Sequence, residues 1–172
     1  MKTFVKKSLL LATLIAPGIA SAQGCIEYNT DGALIFKDGA FRGPVAEVTS
    51  YFAIITERDL YNSRGVRLRD FRAIMQQDRA NVHKSGAVDR IADTSEDGSP
   101  NIIEEDFDSY FTTLERRTLL SSLPYYGYCY DSGSNERLAR EIVAGRINAA
   151  GLAVTLFRRS NGRLAVLLAP VG

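Results

Sequence analysis

The chain has 172 residues, of which 21 are basic, 20 are acidic and 45% are hydrophobic, and its formal charge is +1. This composition is typical of a globular domain, and it excludes the strongly basic character that nucleic-acid-binding domains usually show. The sequence contains no G-x-S-x-G, P-loop, G-x-G-x-x-G, H-E-x-x-H or C-x-x-C motif, and we expect no cofactor.

Residues 1–22 have the three parts of a cleavable secretory signal peptide: a basic start, a short apolar segment and a small-x-small cleavage site. These parts are Lys2, Lys6 and Lys7, then residues 9–15, then Ala20-Ser21-Ala22. A membrane-spanning helix needs about 20 apolar residues, and Pro17 interrupts this segment earlier. Cleavage before Gln23 would leave residues 23–172 as a single exported domain with 18 basic and 20 acidic residues, a formal charge of −2. We therefore expect a periplasmic or secreted protein.

The two cysteines are Cys25 and Cys129. In an exported protein we expect a disulfide between them, and closing a loop of this length stabilises a fold by about 4–5 kcal/mol in the chain-entropy model. Two alternatives remain open, namely free thiols and acylation of Cys25. Gly24-Cys25 resembles the end of a lipoprotein processing site, although Ala22 and Gln23 depart from that pattern. Two cysteines and one histidine are too few ligands for a zinc site, and we expect no metal.

In the first half of the chain, short strands are predicted over residues 25–28 and 33–36, and a core strand over residues 48–56. A turn is expected at residues 62–65. A helix is predicted from about Arg67 to Lys84, because apolar residues recur there at helical spacing, and Gly86 stands where helices commonly end. These apolar residues are Leu68, Phe71, Ile74, Met75 and Val82.

In the second half, residues 93–108 contain seven acids and no base, and the first part of this segment is predicted to be an acidic loop. Thr112-x-x-Glu115 predicts a capping box for a short helix that Pro124 ends, and Ser134 predicts the cap of a third helix that runs to about Ala144. Asn161-Gly162 between two apolar β-branched runs predicts a hairpin with a type I′ turn. We therefore predict a single α+β domain with a mostly antiparallel sheet, about three helices and a C-terminal β-hairpin.

Asp78, Arg79 and His83 are candidate catalytic residues. On a helical projection Asp78 falls within about 30° of the centre of the apolar face, where a carboxylate needs a partner or a cleft. His83, the only histidine, would act as general acid or base, and Arg79 would hold an anionic group. In the structural alternative, Asp78 bonds an arginine of another element or capping amides, while His83 favours the helix C-terminus.

The charges are distributed unevenly along the sequence. Residues 58–90 carry seven arginines and one lysine against four aspartates. These basic residues would either balance the acids of residues 93–108 within the fold or face an acidic partner or a polyanion of the envelope. Residues 93–104 also resemble a calcium-binding EF-hand loop with Gly98 at the sixth place, although Pro100 and Glu105 depart from the pattern.

Four tyrosines surround the second cysteine and form a candidate binding surface, because tyrosine rings give contact area at little entropy cost. They are Tyr125, Tyr126, Tyr128 and Tyr130, in a segment that we expect to be extended. Core packing around a disulfide is the alternative. The sequence thus favours a periplasmic binding, inhibitory or accessory module that acts on a protein or envelope component. The second hypothesis is a small acid-base hydrolase built around Asp78, Arg79 and His83, with carboxylates from the acidic segment.

Overall fold

The computed structural model describes residues 24–38, 41–94, 98–131, 133–147 and 149–171, and the predicted signal peptide lies outside them. The described residues form a single α+β domain with a mostly antiparallel sheet, as predicted. The strands are β1 (Gly24–Tyr28), β2 (Leu34–Asp38), β3 (Phe41–Thr56), β4 (Arg90–Thr94), β5 (Pro100–Glu104), β6 (Tyr125–Tyr126), β7 (Ala149–Arg159) and β8 (Leu164–Val171). The helices are α1 (Phe71–Ser85), α2 (Leu114–Ser122) and α3 (Ser134–Ala144), with 3-10 turns at Glu57–Leu60 and Cys129–Asp131.

The main sheet has the strand order β1-β2-β3-β7-β8-β6. Strand β3 has 16 residues, and it pairs with β2 at its start and with β7 along the rest of its length. Strand β6 pairs with β8 in parallel, and just beyond β6 a parallel bridge joins Tyr128 to Ile26 of β1. The two edge strands of the sheet therefore meet at this end of the domain.

The domain has two hydrophobic clusters, which lie along the same sheet. The larger cluster packs the three helices against β3, β7 and β8, and it includes Phe71, Ile74 and Met75 of α1. The smaller one lies where the edge strands meet. Its buried members are Ile26, Phe36, Tyr126, Phe157, Ala165 and Leu167.

Helix α1 is the best-predicted element, and its apolar face is buried as expected. It begins at Phe71, later than the pattern suggested, because the Asp70 side chain accepts a hydrogen bond from the Arg72 backbone N–H at 3.1 Å and so fixes the N-cap. It ends at Gly86, whose φ of 62° is the left-handed conformation that favours glycine at this position.

The C-terminal hairpin of β7 and β8 is confirmed, but its turn is not type I′. That turn needs a positive φ at both central residues, and within the described residues only glycines have one. The Gly162 N–H donates to the Arg159 carbonyl at 2.8 Å, and Gly162 has a φ of 80°. The connection is therefore one residue longer, with Ser160 and Asn161 in the turn and Gly162 in the left-handed position.

Both predicted helix caps are displaced by one residue. Thr113, not Thr112, caps α2, because its hydroxyl accepts the Arg116 backbone N–H at 3.3 Å. Gly133 precedes α3, so that Ser134 is its first helical residue. Where neighbouring residues have similar capping ability, the sequence alone does not determine which of them is the N-cap, because tertiary contacts also affect where the helix begins.

The acidic segment was predicted to begin as a loop, and this is wrong for most of its first part. Strands β4 and β5 form a two-stranded antiparallel sheet that pairs Arg90 with Glu104 and Ile91 with Ile103. The β-branched residues in this segment favour strands, and the excess of acidic side chains does not prevent pairing because Arg90 lies opposite Glu104.

Candidate functional site

Helix α1 places the three candidate catalytic residues together below the surface. Asp78 is 1% exposed, Arg79 is 0% exposed, and the His83 side chain is 2% exposed. Arg79 and His83 are four residues apart and so share one side of the helix. The residues that follow β5 pack against this side.

Arg79 is the centre of a buried ion network, which we call the Arg79 cluster and which comprises Arg79, Asp78, Glu105 and Asp108. Its Nε donates to Asp78 Oδ2 at 2.8 Å, and its Nη1 donates to Asp108 Oδ2 at 3.2 Å. Nη2 donates to Glu105 Oε1, and Nη1 also donates to the Asp106 carbonyl at 2.9 Å. The guanidinium thus holds the chain after β5 against α1.

The ring of Tyr51 covers the other face of this guanidinium. The Arg79 Cζ lies 4.2 Å from the centroid of the ring, which belongs to β3 in the sheet below. A cation over an aromatic face is favourable, and more so when both groups are removed from water. Sheet, helix and loop therefore all meet at Arg79.

Three carboxyl groups around one guanidinium are too many for all to be charged at low cost. Burial raises the pKa of Asp78 well above its usual value, and the nearby Glu105 raises it further, while Arg79 opposes both effects. Burial also raises the pKa of Glu105. Burial would raise the pKa of Asp108 too, but the Phe111 N–H and His83 outweigh it, and the pKa is lowered. Asp78 is therefore the group best suited to remain protonated.

His83 belongs to this network through Asp108. Its Nε2 lies 2.9 Å from Asp108 Oδ2, and the other carboxylate oxygen accepts the backbone N–H groups of Tyr110 and Phe111 at 2.9 and 2.6 Å. The ring edge packs on Phe107, and Nδ1 has no hydrogen-bond partner within the described residues. An imidazole and a carboxylate at this distance are a pair that can transfer a proton.

A fourth buried carboxyl group of the described residues, that of Asp59, lies beside the cluster. Its oxygens accept the Thr56 N–H at 2.8 Å and the Asn81 side-chain amide at 2.7 Å. Burial raises the pKa of Asp59 to about 6, and the neighbouring Asp78 contributes to this shift. This end of α1 is thus attached to β3 by polar contacts as well as by apolar packing.

The sequence placed Asp78, Arg79 and His83 on one helix and indicated the acidic segment as a source of carboxylates, but it did not identify which residues of that segment join them. Asp78 bonds the adjacent Arg79 rather than an arginine of another element. Glu105 and Asp108 come from the acidic segment, whose charge excess was the only signal that could have found them. The expected charge balance between residues 58–90 and residues 93–108 is seen in the ion pairs of Arg79 and of Arg90.

The four predicted tyrosines divide into an inner and an outer pair. The Tyr125 hydroxyl donates to the Leu120 carbonyl at 2.9 Å, and its ring packs on Phe71. Tyr126 lies in the smaller cluster between Phe36 and Phe157.

The outer pair joins a tyrosine that the sequence analysis missed. Tyr28, Tyr128 and Tyr130 form what we call the tyrosine stack, with ring centroids 5.8 Å apart in the first pair and 5.2 Å in the second. Tyr28 is 57% exposed and Tyr130 is 79% exposed. Tyr28 lies 100 residues from Tyr128, and no local pattern could have indicated that they meet.

The predicted disulfide holds the two chain segments of this stack together. Cys25 of β1 and Cys129 are bonded, with their Cα atoms 5.0 Å apart. A sulfur in a disulfide cannot also carry a thioether-linked lipid, so this disulfide and the lipoprotein alternative are mutually exclusive at Cys25. The segment that was predicted to be extended is so only in its first part: Tyr125 and Tyr126 form β6, whereas residues 129–131 form a 3-10 turn.

The calcium-loop alternative falls partly on residues 95–97, which lie outside the described residues. Strands, rather than the helices of an EF-hand, flank that loop. Among the residues that the structure describes, no group of three or more His, Cys, Asp or Glu side chains is arranged to hold a metal ion.

None of the helices formed by the described ranges is long and apolar enough to cross a membrane. Comparison with known proteins gives no further guide to the site: no protein-family model matches the chain, and no curated protein and no solved structure matches it.

Proposed function

We propose that this protein is a non-enzymatic exported module that binds a protein or an envelope component, as an inhibitor or accessory subunit, through the tyrosine stack. The observation that carries the proposal is the exposure of the two outer rings, Tyr28 and Tyr130, on either side of Tyr128. Exposed aromatic side chains are enriched where proteins recognise partners. The signal-peptide features of residues 1–22 and the Cys25–Cys129 disulfide support export.

The stack is ordered before any partner arrives. The Tyr28 and Tyr128 hydroxyls lie 3.2 Å apart, the rings stack on one another, and the disulfide joins the two segments that carry them. Side chains that are already fixed lose little conformational entropy on binding, which favours affinity. The hydroxyls at the ring edges tolerate water, so exposure in the free protein is not costly.

The proposal is tested by capture of partners from a periplasmic extract of the source organism with immobilised protein. Tyr28→Ala and Tyr130→Ala remove exposed ring area, and Leu114→Ala is the control, because Leu114 is an exposed apolar residue at the start of α2. We expect a protein or envelope component that the wild type and the Leu114 variant retain and that the tyrosine variants release, with affinity at least about tenfold weaker.

Retention of the same component by both tyrosine variants would contradict the assignment of this surface. Far-UV circular dichroism of each variant checks that the fold is retained. Recovery of no component by the wild type would contradict the proposed function.

The second candidate is an acid-base hydrolase that uses Asp78, Arg79 and His83. The 2.9 Å contact between His83 Nε2 and Asp108 favours it, because a carboxylate that orients an imidazole is a common catalytic arrangement. The burial of all three side chains speaks against it, because a catalytic group must touch its substrate. If His83→Ala and Asp78→Asn both leave binding and any hydrolytic activity unchanged, the second candidate is wrong.

A further inference from the structure

The arginines of the loop before α1, residues 61–70, differ from Arg79 in that they have no carboxylate partner within the described part of the chain. Arg58, Arg79 and Arg90 of this arginine-rich segment pair with carboxylates. Among the described residues, no carboxylate lies within ion-pair distance of Arg64, Arg67 or Arg69. Arginine side chains that have no carboxylate partner within the fold are available to bind an anion.

Two of these arginines line the same concavity, which we call the arginine pocket. It has a volume of about 700 Å³ and lies between the 3-10 turn at Glu57–Leu60, the loop before α1 and the end of α3. Its charged residues are Arg67, Arg69 and Glu57, so the lining has a net positive charge. The rest of the lining is apolar or glycine. Those residues are Leu60, Val143, Ala144, Gly145 and Ile147.

The guanidinium of Arg67 makes two hydrogen bonds within the fold. Its Nη2 donates to the Val143 carbonyl at 3.1 Å, near the C-terminus of α3, and its Nη1 lies 3.4 Å from the Tyr61 hydroxyl. A cation is favourable at this end of a helix. These contacts use two of the five N–H donors of the guanidinium, so the others can still serve a ligand.

Arg69, in contrast, makes no such hydrogen bonds within the described residues. It is exposed, and within the described residues its side chain makes no hydrogen bond, ion pair or ring contact. A guanidinium without an internal role at the wall of a partly apolar concavity is what a site for an organic anion requires.

We propose that the arginine pocket binds a small organic anion, in which a carboxylate or phosphate group contacts Arg67 and Arg69 and an attached apolar group packs on Leu60, Val143 and Ile147. The two arginines provide bidentate donors for the anionic group. The apolar wall provides the remaining binding free energy, and it distinguishes the ligand from an inorganic anion. This site consists of other residues than the tyrosine stack, so either proposal can fail without the other.

The test is a titration of the folded, disulfide-bonded protein followed by ¹H–¹⁵N NMR. The probes are benzoate and phenyl phosphate. Benzamide serves as a neutral control of the same shape, and inorganic phosphate serves as an anion without an apolar group. We expect benzoate or phenyl phosphate to shift the amide signals of residues 60, 69, 143 and 147, and we expect benzamide and inorganic phosphate to bind at least about tenfold more weakly.

Variants separate the pocket from general basic charge. Arg69→Gln should weaken binding about tenfold, because it removes one charged donor from the site. Arg64→Gln is the matched control, since Arg64 is also exposed and unpaired among the described residues but does not line the pocket, and it should change the Kd by less than about twofold. Arg67→Gln provides a second variant of the lining, with its fold checked by circular dichroism.

Three results would overturn the proposal. The first is equal weakening by Arg64→Gln and Arg69→Gln, which would mean diffuse attraction to a basic surface. The second is binding of benzamide as strong as that of benzoate, or of inorganic phosphate as strong as that of phenyl phosphate. The third is the absence of shifts at the lining residues with every probe at about 10 mM, a concentration that reveals even weak binding.

Discussion

Arg79 and Arg69 lie ten residues apart in one arginine-rich segment, but their environments are opposite. Arg79 is fully buried, with three carboxyl groups and the Tyr51 ring around its guanidinium. Arg69 is exposed and has no partner among the described residues. A count of charges along the sequence treats the two alike. The difference shows that one arginine serves the fold, whereas the other is free to serve a ligand.

The largest expected effect is the loss of Arg79. Arg79→Met leaves Glu105 and Asp108 buried without their cation, and we expect it to lower the free energy of unfolding by about 3–5 kcal/mol. Arg69→Met should change it by less than about 0.5 kcal/mol. Urea denaturation of both variants measures the difference. Similar values for the two variants would mean that the environments differ less than the contacts indicate.

The next effect is a pH dependence that comes from Asp59. Its pKa is about 6 in the folded protein and 3.8 when unperturbed, so the folded state binds this proton more tightly than the unfolded state. The resulting stabilisation is complete below pH about 4 and is lost as the pH rises through about 6, by up to about 3 kcal/mol. We expect the wild type to lose that much more stability than Asp59→Asn between pH about 4 and about 7. If the free energy of unfolding of the wild type and of Asp59→Asn changes with pH in parallel, the prediction is contradicted.

A smaller effect is expected at Asp78. Burial and Glu105 raise the pKa of Asp78 against the opposing effect of Arg79, which shifts the equilibrium towards the neutral acid, and an asparagine resembles that form. Asp78→Asn should therefore cost only about 1 kcal/mol of unfolding free energy, since an amide oxygen can still accept the Arg79 Nε–H. Thermal denaturation at neutral pH measures this cost. A loss as large as that of Arg79→Met would show that Asp78 is charged in the folded protein.

The smallest effect is expected for the exposed pair of Arg90 and Glu104, which lie 2.8 Å apart. Exposed ion pairs are weakened by water and salt. Arg90→Gln should therefore leave the denaturation midpoint unchanged within error. A clear shift would mean that pairing outside the core also stabilises this part of the fold.

Local patterns predicted the elements whose stability comes from local chemistry. The apolar spacing of α1, the glycine at its end and the paired runs of β7 and β8 were sufficient. The extension of β3 back to Phe41 was not predicted, because it depends on pairing with β2. Strands β4 and β5 were not predicted, because the many acidic residues of this segment indicated a loop.

The candidate sites follow the same rule. Asp78, Arg79 and His83 share one helix and were found together, whereas Glu105 and Asp108 reach them only through the tertiary fold. The exposed position of Tyr130 depends on a 3-10 turn, which the pattern of apolar residues in the sequence did not predict. The arginine pocket was not predicted at all, since it needs the end of α3 beside the loop before α1.

The disulfide has a consequence for the biosynthesis of this chain. Cys25 precedes Cys129 by 104 residues in the chain, so its thiol has no intramolecular partner until the later segment has been made. Because the sequence has two cysteines, only one intramolecular pairing exists, and oxidative folding cannot scramble. The bond therefore needs an oxidant but no disulfide isomerase, and until it forms, the free thiol of either cysteine can join two chains covalently.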